Sequence, residues 1–355
     1  MVANNRQDKI MLIGGNRTQQ HRMKNYTNKV ALCFGGRKSK VYLTGIHKNA
    51  LTLMQFDDFS IYIIVHHSIC IGKMQGGFDM LADYHVHTEF SDDSVYPMEQ
   101  VVKDAINLHL DEICITDHVD YGVKVDRDSG EEILYRHGEP LANVDYPRWE
   151  LELQRVRDLF ARKIDVKMGM EFGVQVHTIP QFEALFRRYP FDFIILSIHQ
   201  VEDKEFWTQD FQKGRTQQEY NERYYQEMLD VVQVYKNYSV LGHMDLIKRY
   251  DQAGIYPFEK VKPLIAEILK IVIADGKGIE VNTSSHRYGL TDSMPSAQLL
   301  RLYRDLGGSI VTIGSDSHAP AHLGSYIQDA KELLKQLGFQ HFCTYERMRP
   351  VFQRL

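Results

Sequence analysis

"LADYHVHTEFSDDS", residues 81–94, decides the fold. Its first half, "LADYHV" (81–86), is a short apolar run of strand type. The run ends in His85-Val86-His87, and Asp92 and Asp93 follow in the next loop. A lone His-x-His after a strand is commonplace. This pair gains meaning because the same arrangement, a strand and then a ligand-type side chain, recurs down the chain.

The further strand candidates are "EICIT" (112–116), "DVKMGME" (165–171), "FDFIILSI" (191–198), "SVLGH" (239–243), "GIEVN" (278–282) and "SIVTIGS" (309–315). Amphipathic stretches separate them, at 98–110, 147–163, 179–189, 216–237, 257–276, 295–307 and 325–338. Val101, Val102, Ala105, Ile106 and Leu108 in the first of these repeat near a helical period, after Pro97. Pro263 inside the fifth predicts a kink or a later start. Strand and helix alternating in this way predict a parallel sheet. The strands are apolar on both faces, as buried parallel strands are. A closed barrel fits this number of units better than an open doubly wound sheet, which stays as the alternative. No Gly-rich nucleotide-cradling motif follows any strand.

Residues 1–79 differ in character. They hold the basic and polar pieces "NNRQDK", "GGNRTQQHRMKN" and "GGRKSK", with no sustained strand or helix period. Three readings stay open: an accessory segment, a disordered tail, or residues upstream of a start at Met80. The regular domain is 80–355. A 43% hydrophobic, 25% charged composition with net charge -5 excludes a basic nucleic-acid footprint and fits a globular protein. The apolar run "FSIYIIVHHSICIG" (59–72) is broken by His66 and His67, too short to span a bilayer. Four scattered cysteines form no zinc or disulfide pattern. The expected setting is the cytoplasm, with no membrane contact.

Sites in α/β folds form at the C-terminal ends of strands. There this sequence places His85 and His87, Asp117 and His118, Glu171, His199, His243, Asn282 with His286 and Arg287, and finally Asp316 and His318. Any one of these could be a cap or a solvated loop residue. As a set they are the imidazole and carboxylate ligands of divalent transition metals such as Zn, Mn or Fe. They over-supply a single ion, so two or three ions are expected.

The motifs "DYHVHTEFSDDS", "ITDH", "GMEFG", "SIHQV", "GHMDLIKRY", "EVNTSSHRYG" and "IGSDSH", in that order, resemble the polymerase and histidinol phosphatase (PHP) superfamily, in its histidinol-phosphate phosphatase branch. The resemblance covers about residues 80–355. It implies a distorted (β/α)7 TIM-like barrel with a trinuclear metal centre. In that scheme His85 and His87 would bind a first metal with Glu171 and Asp316. Glu171 would bridge to a second, held by His199 and His243. His118 and His318 would hold a third. Asp93 stands where many relatives carry a histidine ligand, and takes that place here. Arg249 and Arg287 would clamp phosphate, with His286 beside them.

The implied reaction is hydrolysis of a small phosphomonoester, L-histidinol phosphate, in histidine biosynthesis. Metal-activated water would attack phosphorus, and His243 or Asp316 could move protons. Glu89 and Asp120 are candidates for the substrate amine. Two other readings are kept: a phosphoesterase acting on nucleotides or nucleic-acid ends, and a non-catalytic metal-binding module.

Overall fold

The computed structural model describes residues 26–34, 37–45, 53–54, 80–136 and 138–355. The chain divides into two compact units, Met1–Phe78 and Asp79–Leu355. The first contains two antiparallel strands, Tyr26–Phe34 and Arg37–Gly45, paired in continuous register from Tyr26–Gly45 to Phe34–Arg37. Leu53–Met54 adds to the second. This corrects the expectation that no strand period is present there. The readable signal was Gly35-Gly36 between two strand-length segments, a hairpin pattern. The apolar run 59–72 lies outside the described residues.

In the second unit seven strands stand in sequence order, each parallel to the next. They are β1 (Ala82–Val86), β2 (Glu112–Ile115), β3 (Asp165–Gly173), β4 (Phe193–Ser197), β5 (Val240–Leu241), β6 (Gly278–Asn282) and β7 (Val311–Gly314). Just beyond β7, Ser317 bridges back to β1. The His87 N–H donates to the Ser317 carbonyl at 2.8 Å, and the Ser317 N–H donates to the His85 carbonyl at 3.2 Å. The sheet is therefore a barrel, and the open-sheet alternative falls. Its distortion is local: β5 pairs over two residues only, and the β1–β2 register shifts between Asp83 and Val86.

Helices α1 (Met98–Asn107), α2 (Tyr146–Phe160), α3 (Ile179–Arg188), α4 (Gln217–Val234), α5 (Phe258–Ala274), α6 (Ala297–Asp305) and α7 (Ile327–Gln336) follow the strands in turn. Each lies within the expected stretch to a residue or two. The boundaries follow from local chemistry: Thr216 and Glu219 form a reciprocal capping box that starts α4. The expected later start at Pro263 is wrong. α5 runs through it, because burial of Val261, Ile265, Ile268, Leu269 and Val272 outweighs one lost backbone bond.

All residues of β1, β2, β4, β6 and β7 are buried, which accounts for their apolar character on both faces. A C-terminal hairpin, β8 (His341–Glu346) with β9 (Arg349–Arg354), was not anticipated. Its Tyr345 packs on Phe193 and Tyr84, and the Tyr345 N–H donates to the Tyr84 hydroxyl at 2.6 Å. Cys114 and Cys343 are free and buried. Among the described residues no helix is long and apolar enough to cross a membrane.

Candidate metal centre and active site

The closing seam of the barrel places the His85/His87 pair against Asp316 and His318. The loop after β1 is then fixed by Asp117. This buried carboxylate accepts from the Thr88 N–H at 2.6 Å, the Thr88 hydroxyl at 2.8 Å, the Ser91 hydroxyl at 2.7 Å and the Trp149 indole at 2.9 Å. Asp117 is thus a brace for the ligand loop. Glycines let the ligands converge. A Cβ on Gly314 would collide with the His85 Cβ, and one on Gly173 with Asp120.

Glu171, at the end of β3, is fully buried at the centre. Its Oε1 lies 3.1 Å from His199 Nε2 and 2.8 Å from His243 Nε2. Its Oε2 lies 3.1 Å from His85 Nε2, 3.5 Å from His87 Nε2 and 3.0 Å from His118 Nδ1. Burial opposes its charge, but the surrounding imidazoles His85, His199 and His118 hold the carboxyl well below its usual range. Asp316 Oδ1 is 3.8 Å from His85 Nε2 and 3.6 Å from His87 Nε2. Asp93 Oδ2 is 3.1 Å from His318 Nε2 and 3.7 Å from His118 Nε2. All nine expected ligand residues are therefore brought together.

The tautomers can be read from the partners. His85 Nδ1 is 2.6 Å from Glu280 Oε1, and His199 Nδ1 is 2.7 Å from Asp120 Oδ1. Facing carboxylates, both Nδ1 atoms donate, which makes each Nε2 the nitrogen that a cation would take. Ser91 settles His87. Its one hydroxyl proton goes to Asp117, so the oxygen accepts from His87 Nδ1 at 3.1 Å and from the His118 N–H at 3.2 Å. His318 Nδ1 donates to the Asp316 carbonyl at 3.0 Å.

Buried His87 Nε2 makes no hydrogen bond, and His118 Nδ1 and His318 Nε2 meet only the oxygens of Glu171 and Asp93. Their rings stack, with His87 centred 4.2 Å from His118 and 4.0 Å from His318. Burial first, then His318 and His118, push the His87 pKa well down. Imidazole nitrogens converging on carboxylate oxygens, where a divalent cation can take the place of protons, fit divalent metals. Ligand atoms come within reach of one ion in several sets, including His85 with His87 and Asp316, His85 with Glu171 and His243, and His87 with His118 and His318.

Glu280 was missed by sequence reasoning, although a carboxylate inside a buried strand was itself a signal. It also accepts the His243 N–H at 3.0 Å. Glu280→Gln is expected to weaken metal affinity by about 10–100-fold. A metal titration followed by activity checks this, and unchanged affinity counts against the tautomer assignment.

A cavity of about 520 Å³ opens onto these ligands. The Arg249 side chain is largely buried in its wall and lies 3.6 Å from Asp316 Oδ2. Its Nη2 donates to Ser284 Oγ at 2.6 Å, its guanidinium lies 3.9 Å over Tyr288, and its buried Nε has no partner. Arg287 also lines the cavity, but donates to the carbonyls of Ser315 at 2.7 Å and Asp316 at 2.6 Å. Those bonds hold Asp316 in a left-handed backbone conformation, φ 55°.

Three expectations need correction. His286 does not line the cavity; it is exposed and stacks on Tyr326 at 4.3 Å, because the turn after β6 directs it outward. Glu89 is not at the substrate: it accepts the Met98 N–H at 2.5 Å and caps α1. Asp120 is committed to His199 and to Lys124 Nζ, the latter at 2.8 Å. The same lysine, 2.6 Å from Asp92, gives Asp92 its partner.

The PHP domain family matches residues 83–284. The chain belongs to that family. Its PHP relatives include the histidinol-phosphatase of Lactococcus lactis, 30% identical over 273 residues, 75% of this chain and 95% of the relative. The Saccharomyces cerevisiae histidinol-phosphatase is 20% identical over 305 residues, covering 74% and 91%. A crystal structure of the Lactococcus lactis histidinol phosphate phosphatase, complexed with zinc, L-histidinol and phosphate, superposes with a TM-score of 0.66 at 30% identity. That match covers 76% of this chain and 98% of the solved one.

Proposed function

We propose that this PHP protein is a metal-dependent histidinol-phosphatase, hydrolysing L-histidinol phosphate to L-histidinol and phosphate. The observation that carries the reading is Glu171, with each oxygen facing a different set of imidazoles, beside a cavity that also receives Arg249 and Arg287. The Lactococcus relative supports the substrate.

The donor set supports two or three divalent ions, with Zn, Mn and Fe suited to imidazole and carboxylate together. When bound, such ions supply Lewis acidity to the phosphoryl group and a nucleophile from water near neutral pH. The chain's own groups do the rest. The Arg249 guanidinium charge meets phosphoryl oxygens. Arg287 supports the Asp316 backbone. Burial opposes charge on Asp316, but His85, His318 and Arg249 keep its carboxylate ionised, as a metal ligand needs.

The test is turnover of L-histidinol phosphate against AMP and a single-stranded oligonucleotide by the Zn- or Mn-loaded protein. L-Histidinol phosphate is expected to be the preferred substrate. Faster hydrolysis of AMP or the oligonucleotide sinks the reading, and absence of turnover on any phosphomonoester favours a binding module. All proposed site residues lie within 80–355, so a chain starting at Met80 is expected to keep its kcat/KM. A tenfold loss or more would bring the first 79 residues into the chemistry.

A further inference from the structure

Asp92 and Asp120 stand on different loops, after β1 and after β2, yet one ammonium group serves both. Lys124 Nζ donates to Asp92 Oδ1 at 2.6 Å and to Asp120 Oδ2 at 2.8 Å. The lysine side chain is 6% exposed. A charge this far from water is retained where carboxylates meet it. Its backbone is held as well. The Lys124 N–H donates to the Asp120 carbonyl at 2.9 Å, which closes a turn. Asn143 grips both ends of that turn: its Oδ1 accepts the Asp120 N–H at 3.0 Å, and its own N–H donates to the Val125 carbonyl at 2.9 Å.

Each carboxylate leads to a different part of the ligand cluster. Asp120 Oδ1 faces His199 Nδ1 at 2.7 Å, and this aims His199 Nε2 at Glu171 Oε1. Asp92 directly precedes Asp93 in the chain. The Asp93 side chain is 54% exposed, so packing alone does not fix it. Its loop is tied down on either side instead. Asp92 is held by Lys124, and the Ser94 hydroxyl donates to the His318 carbonyl at 3.1 Å. Asp93 Oδ2 then lies 3.1 Å from His318 Nε2. One buried cation thus stands behind two ligands that come from separate loops and face separate imidazoles.

We propose that Lys124 is a positioning residue that couples two metal subsites, orienting His199 through Asp120 and placing Asp93 through Asp92. The inference rests on reading the imidazole and carboxylate cluster as a metal centre, and is independent of the substrate. Without the ammonium, two carboxylates that share one nitrogen repel each other. Asp92 then releases the loop that carries Asp93, and Asp120 loses the partner that fixes its second oxygen against His199.

The test reads metal before turnover. The full chain and its variants are loaded with Zn, dialysed against graded dipicolinate, and the metal left on each chain is measured. In Lys124→Met the affinity for two ions is expected to fall about 10–100-fold, whereas Asp92→Asn and Asp120→Asn each weaken one. Adding Asp92→Asn to Lys124→Met should change little, because that pair is already broken. Lys124→Arg, whose fork can span both carboxylates, should restore part of the loss. Asp92→Asn, at a partly exposed side chain, carries the test if Lys124→Met does not fold, and parent-level affinity in it overturns the proposal. So does a Lys124→Met protein that loses one ion alone, or that keeps its metal and shows only a raised KM for L-histidinol phosphate, the mark of a direct substrate contact. A parent that holds no ion sinks the metal-centre reading and the proposal together, an outcome distinct from variants that match a loaded parent.

Discussion

Glu171→Gln is expected to be recovered with most of its metal gone and with phosphomonoester turnover lowered by roughly a thousandfold or more. The reason lies in the two oxygens. Oε1 serves His199 and His243, and Oε2 serves His85, His87 and His118. An amide keeps one acceptor and turns the other edge into a donor. Whichever way it flips, an NH2 group faces imidazole lone pairs where a cation should sit, so one side of the centre is lost and the other loses its charge. Ser197 Oγ, which donates to Oε1 at 2.6 Å, would favour the flip that keeps oxygen on that side. Metal analysis of the purified variant beside its kcat is the measurement. Full metal content would show that Glu171 is not a shared ligand.

Arg249→Ala separates binding of metal from binding of phosphate. Turnover should fall by about 100- to 1,000-fold while metal content stays at the parent level. Arg249 reaches the ligand set only through Asp316 Oδ2 at 3.6 Å, and touches no imidazole of the centre among the described residues. Arg249→Lys should recover little. A lysine restores charge, but not the planar fork that stacks on Tyr288 and donates to Ser284. If metal is lost together with activity, Arg249 acts by holding Asp316, and the phosphate role passes to Arg287.

Much of this site was legible because ligand chemistry is rare at strand ends and here recurs at nearly every one. His199 and His318 could be placed without knowing any contact, since a parallel barrel brings all its strand C-termini to one rim. Asp93 needed the family resemblance as well, because nothing about a half-exposed loop acid marks it as a ligand. What the sequence hid were groups whose meaning depends on a partner far along the chain. Glu280 matters because His85 stands across the barrel, and Ser91 because Asp117 takes its proton. His286 failed for the opposite reason. A short helical turn after Asn282 fixes which side chains face inward, and residue type alone does not report that rotation. The C-terminal hairpin escaped for lack of length: two six-residue strands with mixed polarity carry too little pattern.

The seam between β1 and Ser317 also sets an order of events in the life of the chain. His85 and His87 leave the ribosome before Asp316 and His318. A nascent chain therefore carries incomplete ligand sets until the barrel can close. Metal uptake then rewards only the finished fold, so the centre acts as a lock turned last, and metal starvation should expose the seam first.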